Sequence, residues 1–156
     1  MTMTYKRLLN EYNKCYNNEE KEINFNYKLI ILDSGENVFK SEIIIKINNI
    51  NYKVDIFYDN KYPFKAPTKV KINNKDIFTY YKDIMKNNND ILSECPCCKS
   101  LLCSGNWCAG NTILDILKEI IKIINYNNLK VYRKLLKTIC DKYVNESVDY
   151  LHYYLI

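Results

Sequence analysis

The order of apolar periodicities predicts an α+β domain: an N-terminal helix, a four-stranded antiparallel meander, a long loop and then C-terminal helices. Three observations carry this expectation. Apolar residues recur at helical spacing near both ends of the chain, and between them lie short runs rich in Ile, Val, Tyr and Phe, separated by turn residues. The third is length: 156 residues and 18.6 kDa suffice for one buried core, and residues 1–156 are expected to form a single domain.

Taken in order, Thr4 to Asn17 places Tyr5, Leu8, Leu9, Tyr12 and Tyr16 on one side, with Lys6, Arg7 and Glu11 on the other, as an amphipathic helix does. Residues 23–32 (INFNYKLIIL), 38–47 (VFKSEIIIKI) and 51–58 (NYKVDIFY) read as strands. Asp33 to Asn37 and Asn48-Asn49 supply the turns of an antiparallel meander. Two prolines break the pattern in Lys61-Tyr62-Pro63-Phe64-Lys65-Ala66-Pro67, and Thr68 to Ile72 resumes as a fourth strand. From Asn73 to Gly110 periodicity dissolves, with room for a helical turn in Ile77 to Met85.

Thr112 marks its return. Ile113, Ile116, Leu117, Ile120, Ile121 and Ile124 form a core-facing stripe, with Thr112 or Asn111 as the N-cap. Asn125-Tyr126-Asn127-Asn128 is expected to end this helix, and Leu129 to Tyr143 and Ser147 to Leu155 to form two more. A stretch of over thirty residues without periodicity is unusual in a compact domain, and chemistry concentrates on such loops.

Composition excludes more than it assigns. With 22 Asn, 21 Ile, 21 Lys and 15 Tyr against two Arg, the chain has the bias of an AT-rich coding sequence. The net charge is +5 and the pI about 8.7, yet Lys residues are interspersed with Asp and Glu, without a basic block or Arg cluster, so no nucleic-acid partner is expected. No apolar run approaches a membrane span, and no membrane partner is expected. Met1 to Tyr12 is polar and lacks the apolar core of a signal peptide, which predicts an intracellular protein of the cytoplasm or nucleus.

Seven cysteines stand out, five of them (Cys95, Cys97, Cys98, Cys103 and Cys108) within fourteen residues. In a reducing compartment such a cluster is nucleophilic, metal-binding or apolar filler. Cys95, Cys98, Cys103 and Cys108 would make a crowded tetrahedral zinc site, because the second pair follows the first after only four residues. Zinc and nucleophilicity compete, since a metal-bound thiolate is no longer free to attack. Cys15 and Cys140 read as filler, as does Cys97. The sole histidine, His152, lies among tyrosines at the end of the last helix, so a Cys/His protease pairing is not expected.

The leading helix, the meander, Tyr62-Pro63-Phe64-Lys65-Ala66-Pro67, and Trp107 followed by Thr112-Ile113 at the head of an apolar helix together resemble the ubiquitin-conjugating enzymes over roughly residues 4–155. Trp107-Cys108-Ala109-Gly110-Asn111-Thr112-Ile113 resembles that family's Trp-Ser-Pro-Ala-x-Thr-Ile. Cys98-Lys99-Ser100-Leu101-Leu102 is similar to its Cys-x-Asp/Ser-Ile-Leu, with Trp107 nine residues after Cys98. The resemblance implies that Cys98 is the acceptor, with Cys103 its rival because Leu101-Leu102 precede it.

Several further implications follow. Ubiquitin or a ubiquitin-like modifier would arrive from an activating enzyme as a thioester and leave for a substrate lysine with a ubiquitin ligase, without a cofactor. Asn88-Asn89-Asp90-Ile91 falls where the family has His-Pro-Asn-Ile. Asp90 thus stands in place of the Asn that stabilises an oxyanion, and either Asp90 is protonated or a neighbour such as Asn89 takes the role. Lys6, Arg7, Phe64, Cys108, Ala109 and Gly110 would contact partners, and Trp107 would anchor the active-site loop. Two other readings remain open: a catalytically inactive relative that only binds, which Asp90 favours, and a small zinc-stabilised interaction domain.

Overall fold

Two Asn-Asn pairs turn the sheet. Asn48 (φ 49°) and Asn49 (φ 64°), and again Asn73 (φ 48°) and Asn74 (φ 66°), adopt positive φ at both central positions of two-residue hairpin loops. This geometry matches the right-handed twist of the flanking strands, and Asn tolerates it better than other side-chain-bearing residues. The computed structural model describes residues 2–17, 23, 25–32, 38–85, 100–103 and 105–154.

In chain order the elements are α1 (Met3–Asn17), β1 (Phe25–Ile31), β2 (Phe39–Ile47), β3 (Ile50–Tyr58), β4 (Lys69–Ile72), β5 (Lys75–Asp76), α2 (Ile77–Met85) and α3 (Ile113–Tyr154). The strands form one antiparallel sheet in sequence order, β1-β2-β3-β4-β5. The mixed α+β architecture is as the sequence predicts, with one more strand. β5 is a two-residue return through the Asn73-Asn74 hairpin, pairing Ile72 with Lys75, and is too short to leave a periodic signal. It leads into a full helix, so residues 73–85 are structured where the sequence pattern dissolves. The turn expected at Asp33 to Asn37 lies outside the described residues.

Register sorts the sheet into two faces. Phe39 pairs with Tyr58, Ser41 with Ile56 and Ile43 with Val54. Val70 and Ile72 of β4 continue the row opposite Ile56 and Val54. These residues are all buried, beneath Leu8 and Tyr12 of α1 and with Ile113, Ile116, Leu117 and Ile120 of α3 in the same core. Tyr12 stacks on Tyr27 at 4.2 Å between ring centroids, and its hydroxyl lies 3.3 Å from that of Tyr58. The opposite face is polar: the Lys40 ammonium lies 2.6 Å from Glu42 and 3.3 Å from Asp55.

The chain forms two compact units, Met1–Ile121 and Lys122–Ile156, and α3 crosses the boundary. The expectation of three C-terminal helices is corrected to one 42-residue helix. Asn125 to Asn128 do not end it, because Asn costs only a few tenths of a kcal/mol relative to good helix formers. Neither Gly nor Pro, the residues that do break helices, occurs between 113 and 154. Its start is as expected: the Thr112 N–H and hydroxyl donate to Asp115 at 2.8 and 2.7 Å, and the Asp115 N–H lies 3.4 Å from the Thr112 hydroxyl, a reciprocal cap. Ile123 is buried and Ile121 half-buried, a small rotation of the expected stripe. No described helix is long and apolar enough to cross a membrane.

Ile120 is fully buried and Lys118, two residues earlier, is exposed. Ile120→Ala is expected to cost about 2–5 kcal/mol of unfolding free energy and Lys118→Ala under about 0.5, read from urea midpoints at unchanged slope.

Candidate functional site

Glu11 belongs to the face of α1 that carries Leu8 and Tyr12, and it is 5% exposed; the expectation that it shares the solvent side with Lys6 and Arg7 is corrected. Burying a carboxylate demands donors. The Tyr62 hydroxyl donates to Glu11 Oε2 at 2.6 Å, and the backbone N–H of Ile113 donates to the same oxygen at 3.0 Å. Arg7, one turn before Glu11, pairs with Oε1. A negative charge here also faces the N-terminus of α3, where four backbone donors lack helical acceptors.

A second anchor joins the same elements. Thr4 Oγ1 donates to the carbonyl of Asn60 at 2.9 Å and of Tyr62 at 3.1 Å, fixing the first turn of α1 to the segment after β3. That segment contains a cis Tyr62-Pro63 bond and leaves Phe64 78% exposed at its tip. Trp107 Nε1 donates to the Pro63 carbonyl at 2.8 Å, with the Tyr62 and Trp107 rings 5.9 Å apart. The two segments that the sequence singles out, 61–67 and 107–113, are therefore bonded to each other and, through Glu11, to α1.

A second carboxylate organises what precedes Trp107. Glu119 of α3 accepts from the hydroxyls of Tyr81 and Ser100 at Oε1, and from the Leu101 N–H at Oε2, 3.0 Å away. Ser100 is buried; its hydroxyl accepts from the Leu102 N–H at 3.1 Å, and its carbonyl from the Asn106 side chain at 2.9 Å. Cys103 sits at the centre of this tight turn. Its N–H donates to Ser100 O at 3.1 Å, and its carbonyl accepts from the N–H groups of Asn106 and Trp107 at 2.9 and 3.2 Å.

The cysteines and partner candidates are distributed as follows. Cys103 is half-buried, while Cys108 and Cys140 are exposed; all three are free thiols, and Cys108 Sγ lies 3.0 Å from Asn111 Oδ1. Burial, then the Glu11 charge, pushes the Cys15 thiol up, which suits a filler and not a nucleophile. Cys95, Cys97, Cys98, Asn89 and Asp90 lie outside the described residues. Two of the four thiols of the zinc reading are thus outside as well, and among the described residues no three His, Cys, Asp or Glu side chains converge as a metal-ligand set. Of the expected partner contacts, Lys6, Phe64, Cys108, Ala109 and Gly110 are exposed, whereas Arg7 is engaged with Glu11.

Compared with known families, curated proteins and solved structures, the chain matches none.

The residues that sequence reasoning missed are Glu11, Glu119, Ser100 and Tyr81. Glu11 carried a signal, since it lies between Leu8 and Tyr12 and is the one acidic residue of α1. Glu119 carried none, because its partners come from 18 and 38 residues away.

Tyr62 and Tyr81 are held protonated: burial, then the carboxylate each donates to, raises both phenols well above the ordinary value. Tyr12 and Tyr58 are raised by burial as well. Because each folded-state pKa exceeds the unfolded one near 10, the stability these phenols contribute is intact below about pH 10 and is lost as pH rises beyond it. Unfolding midpoints are expected to fall above about pH 10. Tyr62→Phe should remove part of that alkaline loss while costing about 1.5–3 kcal/mol at pH 7, measured by urea titration at both pH values.

Proposed function

We propose that the chain is a ubiquitin-conjugating-type transthiolase, taking ubiquitin or a relative as a thioester on Cys98 and handing it to a substrate lysine with a ligase. The observation that carries the reading is the Trp107 Nε1 bond to the Pro63 carbonyl. It joins the two sequence segments on which the resemblance rests, behind an N-terminal helix and an antiparallel meander in the order the family has.

The chemistry asks for little beyond a placed thiol. The Cys98 thiolate attacks the thioester carbonyl of the activated modifier; a new C–S bond forms, and the activating enzyme's thiolate leaves from the tetrahedral intermediate. A lysine amine then attacks the same carbonyl, the amide forms, and Cys98 departs as thiolate while the amine proton goes to solvent. A thiol near ordinary acidity serves as nucleophile and leaving group in turn. Neither step requires a cofactor. Phe64, the exposed run Cys108-Ala109-Gly110 and the exposed Lys6 of α1 are the residues on which an activating enzyme or ligase would dock.

Incubation with ubiquitin, ATP and activating enzyme is expected to give an adduct of one modifier that thiol reductant removes. Cys98→Ser should abolish it, and Cys140→Ser should leave it unchanged, read by non-reducing electrophoresis. Loss in Cys103→Ser with retention in Cys98→Ser would move the acceptor to Cys103. No adduct with any modifier would remove the enzyme reading in favour of a binding module.

A further inference from the structure

The sheet face opposite the core carries six lysines within its strands, Lys28, Lys40, Lys46, Lys53, Lys69 and Lys71, against Glu42, Asp55 and Asp76. Along the chain these residues are interspersed, which is why no nucleic-acid partner is expected from the sequence. Folding with a period of two sorts them onto one surface. Four of the lysines form a line. Lys69 and Lys71 are alternate residues of β4, Lys71 pairs with Asp55, and Lys53 stands two residues before Asp55 on β3. Lys53 pairs in turn with Ile44, and Lys46 stands two residues beyond Ile44 on β2. Alternate and diagonal neighbours in a sheet are about 7–8 Å apart, so Lys69, Lys71, Lys53 and Lys46 make an evenly spaced stripe.

The acids of this face do not cancel the stripe. Glu42 and Asp55 lie 2.6 and 3.3 Å from the ammonium of Lys40, which is outside it. Asp76 accepts the Phe78 N–H at 3.0 Å, at the start of α2. Within the stripe, the Lys53 ammonium lies 3.8 Å from Glu42. Lys46 and Lys69 are exposed and make no ion pair among the described residues. Phe57 and Ile44 flank the line on one side, paired with Lys69 and Lys53. Ile44 is 48% exposed, and the Lys71 ammonium lies 5.9 Å from the centre of the half-buried Phe57 ring.

Charge and shape identify the occupant. A line of evenly spaced cations with an apolar flank complements a linear polyanion that carries apolar groups along one side. A nucleic-acid strand is such a molecule, with phosphates for the lysines and bases for Phe57 and Ile44. Five strands about 4.8 Å apart make a face about 19 Å across, too broad for a duplex major groove about 12 Å wide. An unpaired strand meets no such limit. A lipid surface would meet the whole face, Glu42 included, and draw no benefit from a linear arrangement. We propose that the stripe Lys69, Lys71, Lys53 and Lys46 binds single-stranded nucleic acid through its phosphate backbone. The stripe is independent of the transthiolase reading, and neither stands or falls with the other.

The test titrates the full-length chain into a labelled oligothymidylate of about twelve nucleotides and reads anisotropy across a salt series. Binding is expected to be micromolar at about 50 mM salt. The logarithm of the association constant should fall against that of salt with a slope of about −3, or about −0.7 for each of four phosphates. Lys46→Gln and Lys69→Gln should each bring the slope about 0.7 nearer zero, and together weaken binding about tenfold or more at low salt. Lys14→Gln, the same charge change at an exposed position of α1, should leave the slope unchanged. All three positions are exposed, so circular dichroism should show unchanged unfolding midpoints. No binding, a slope indifferent to Lys46→Gln and Lys69→Gln, or an equal loss in Lys14→Gln would overturn the proposal. So would equal or tighter binding of a duplex of the same length. An oligoglutamate peptide bound as tightly would assign the stripe to an acidic protein segment, and phosphatidylserine vesicles bound as tightly to a lipid surface; either overturns it likewise.

Discussion

The buried carboxylate of Glu11 is the constraint on which the first unit depends. Taking an ion of this size out of water costs several kcal/mol unless its lone pairs are filled. Here they are filled by groups from three separate places in the chain: Arg7 one helical turn back, the phenol of Tyr62 after β3, and the N–H that opens α3. Tyr62 and Ile113 reach Glu11 only when the proline segment and the last helix are in place against α1. A charge that is expensive when unpaired therefore links local elements into one cooperative arrangement. The same oxygen does electrostatic work at α3, where the orphan N–H groups of the first turn favour a negative neighbour. Thr4, bonded to two carbonyls of the same segment, adds a neutral second tie along the helix.

Glu119 repeats the device one face away, with a different consequence. Its partners are Tyr81 of the helix that follows the sheet, and Ser100 and Leu101, which lead into the turn at Cys103. Ser100 then spends its own hydroxyl and carbonyl on Leu102, Cys103 and Asn106. The turn around Cys103 is thereby held through the N–H groups of Leu101, Leu102, Cys103, Asn106 and Trp107 and the carbonyls of Ser100 and Cys103, and Trp107 closes it onto Pro63. Segments that must hold a reactive group in register are commonly fixed this way, by hydrogen bonds from rigid elements.

Much of this architecture is legible in the sequence, for reasons that also mark where legibility stops. Period-two alternation identifies β2 and β3 because one face of each is buried while the other carries Lys40, Glu42 and Lys53. Thr112 is readable as a cap because Asp115 stands three residues on. β5 is not readable, since two residues have no period. The length of α3 is not readable from Asn125 to Asn128, because Asn is frequent at helix ends, while what decides continuity is the absence of Gly and Pro and not the presence of Asn. Of the site, Trp107 and the Tyr62-Pro67 segment are legible as punctuation in the pattern. Of the two carboxylates, Glu11 is marked only by its place between Leu8 and Tyr12, and Glu119 is not marked at all, because long-range polar partners leave no mark on spacing.

The distribution of effort across the first unit bears on what kind of chemistry it suits. An enzyme that must generate a strong nucleophile spends its buried charges on a general base, and the base sits against the reacting group. Here Glu11 and the half-buried Glu119 are committed to backbone N–H groups, hydroxyls and a guanidinium, and the phenols are pushed away from ionisation, not toward it. Those charges position segments and leave acid–base work undone. A transthiolation is a reaction that tolerates this economy, because the incoming and outgoing groups are both thiolates of similar basicity and the acyl group arrives already activated. On the reading proposed above, placement of the acceptor and of the partner contacts is what such a fold would have to supply. Glu11, Glu119 and Trp107 supply placement: they fix Phe64, the turn at Cys103 and the run 108–110 to one another, and ask for no proton in return.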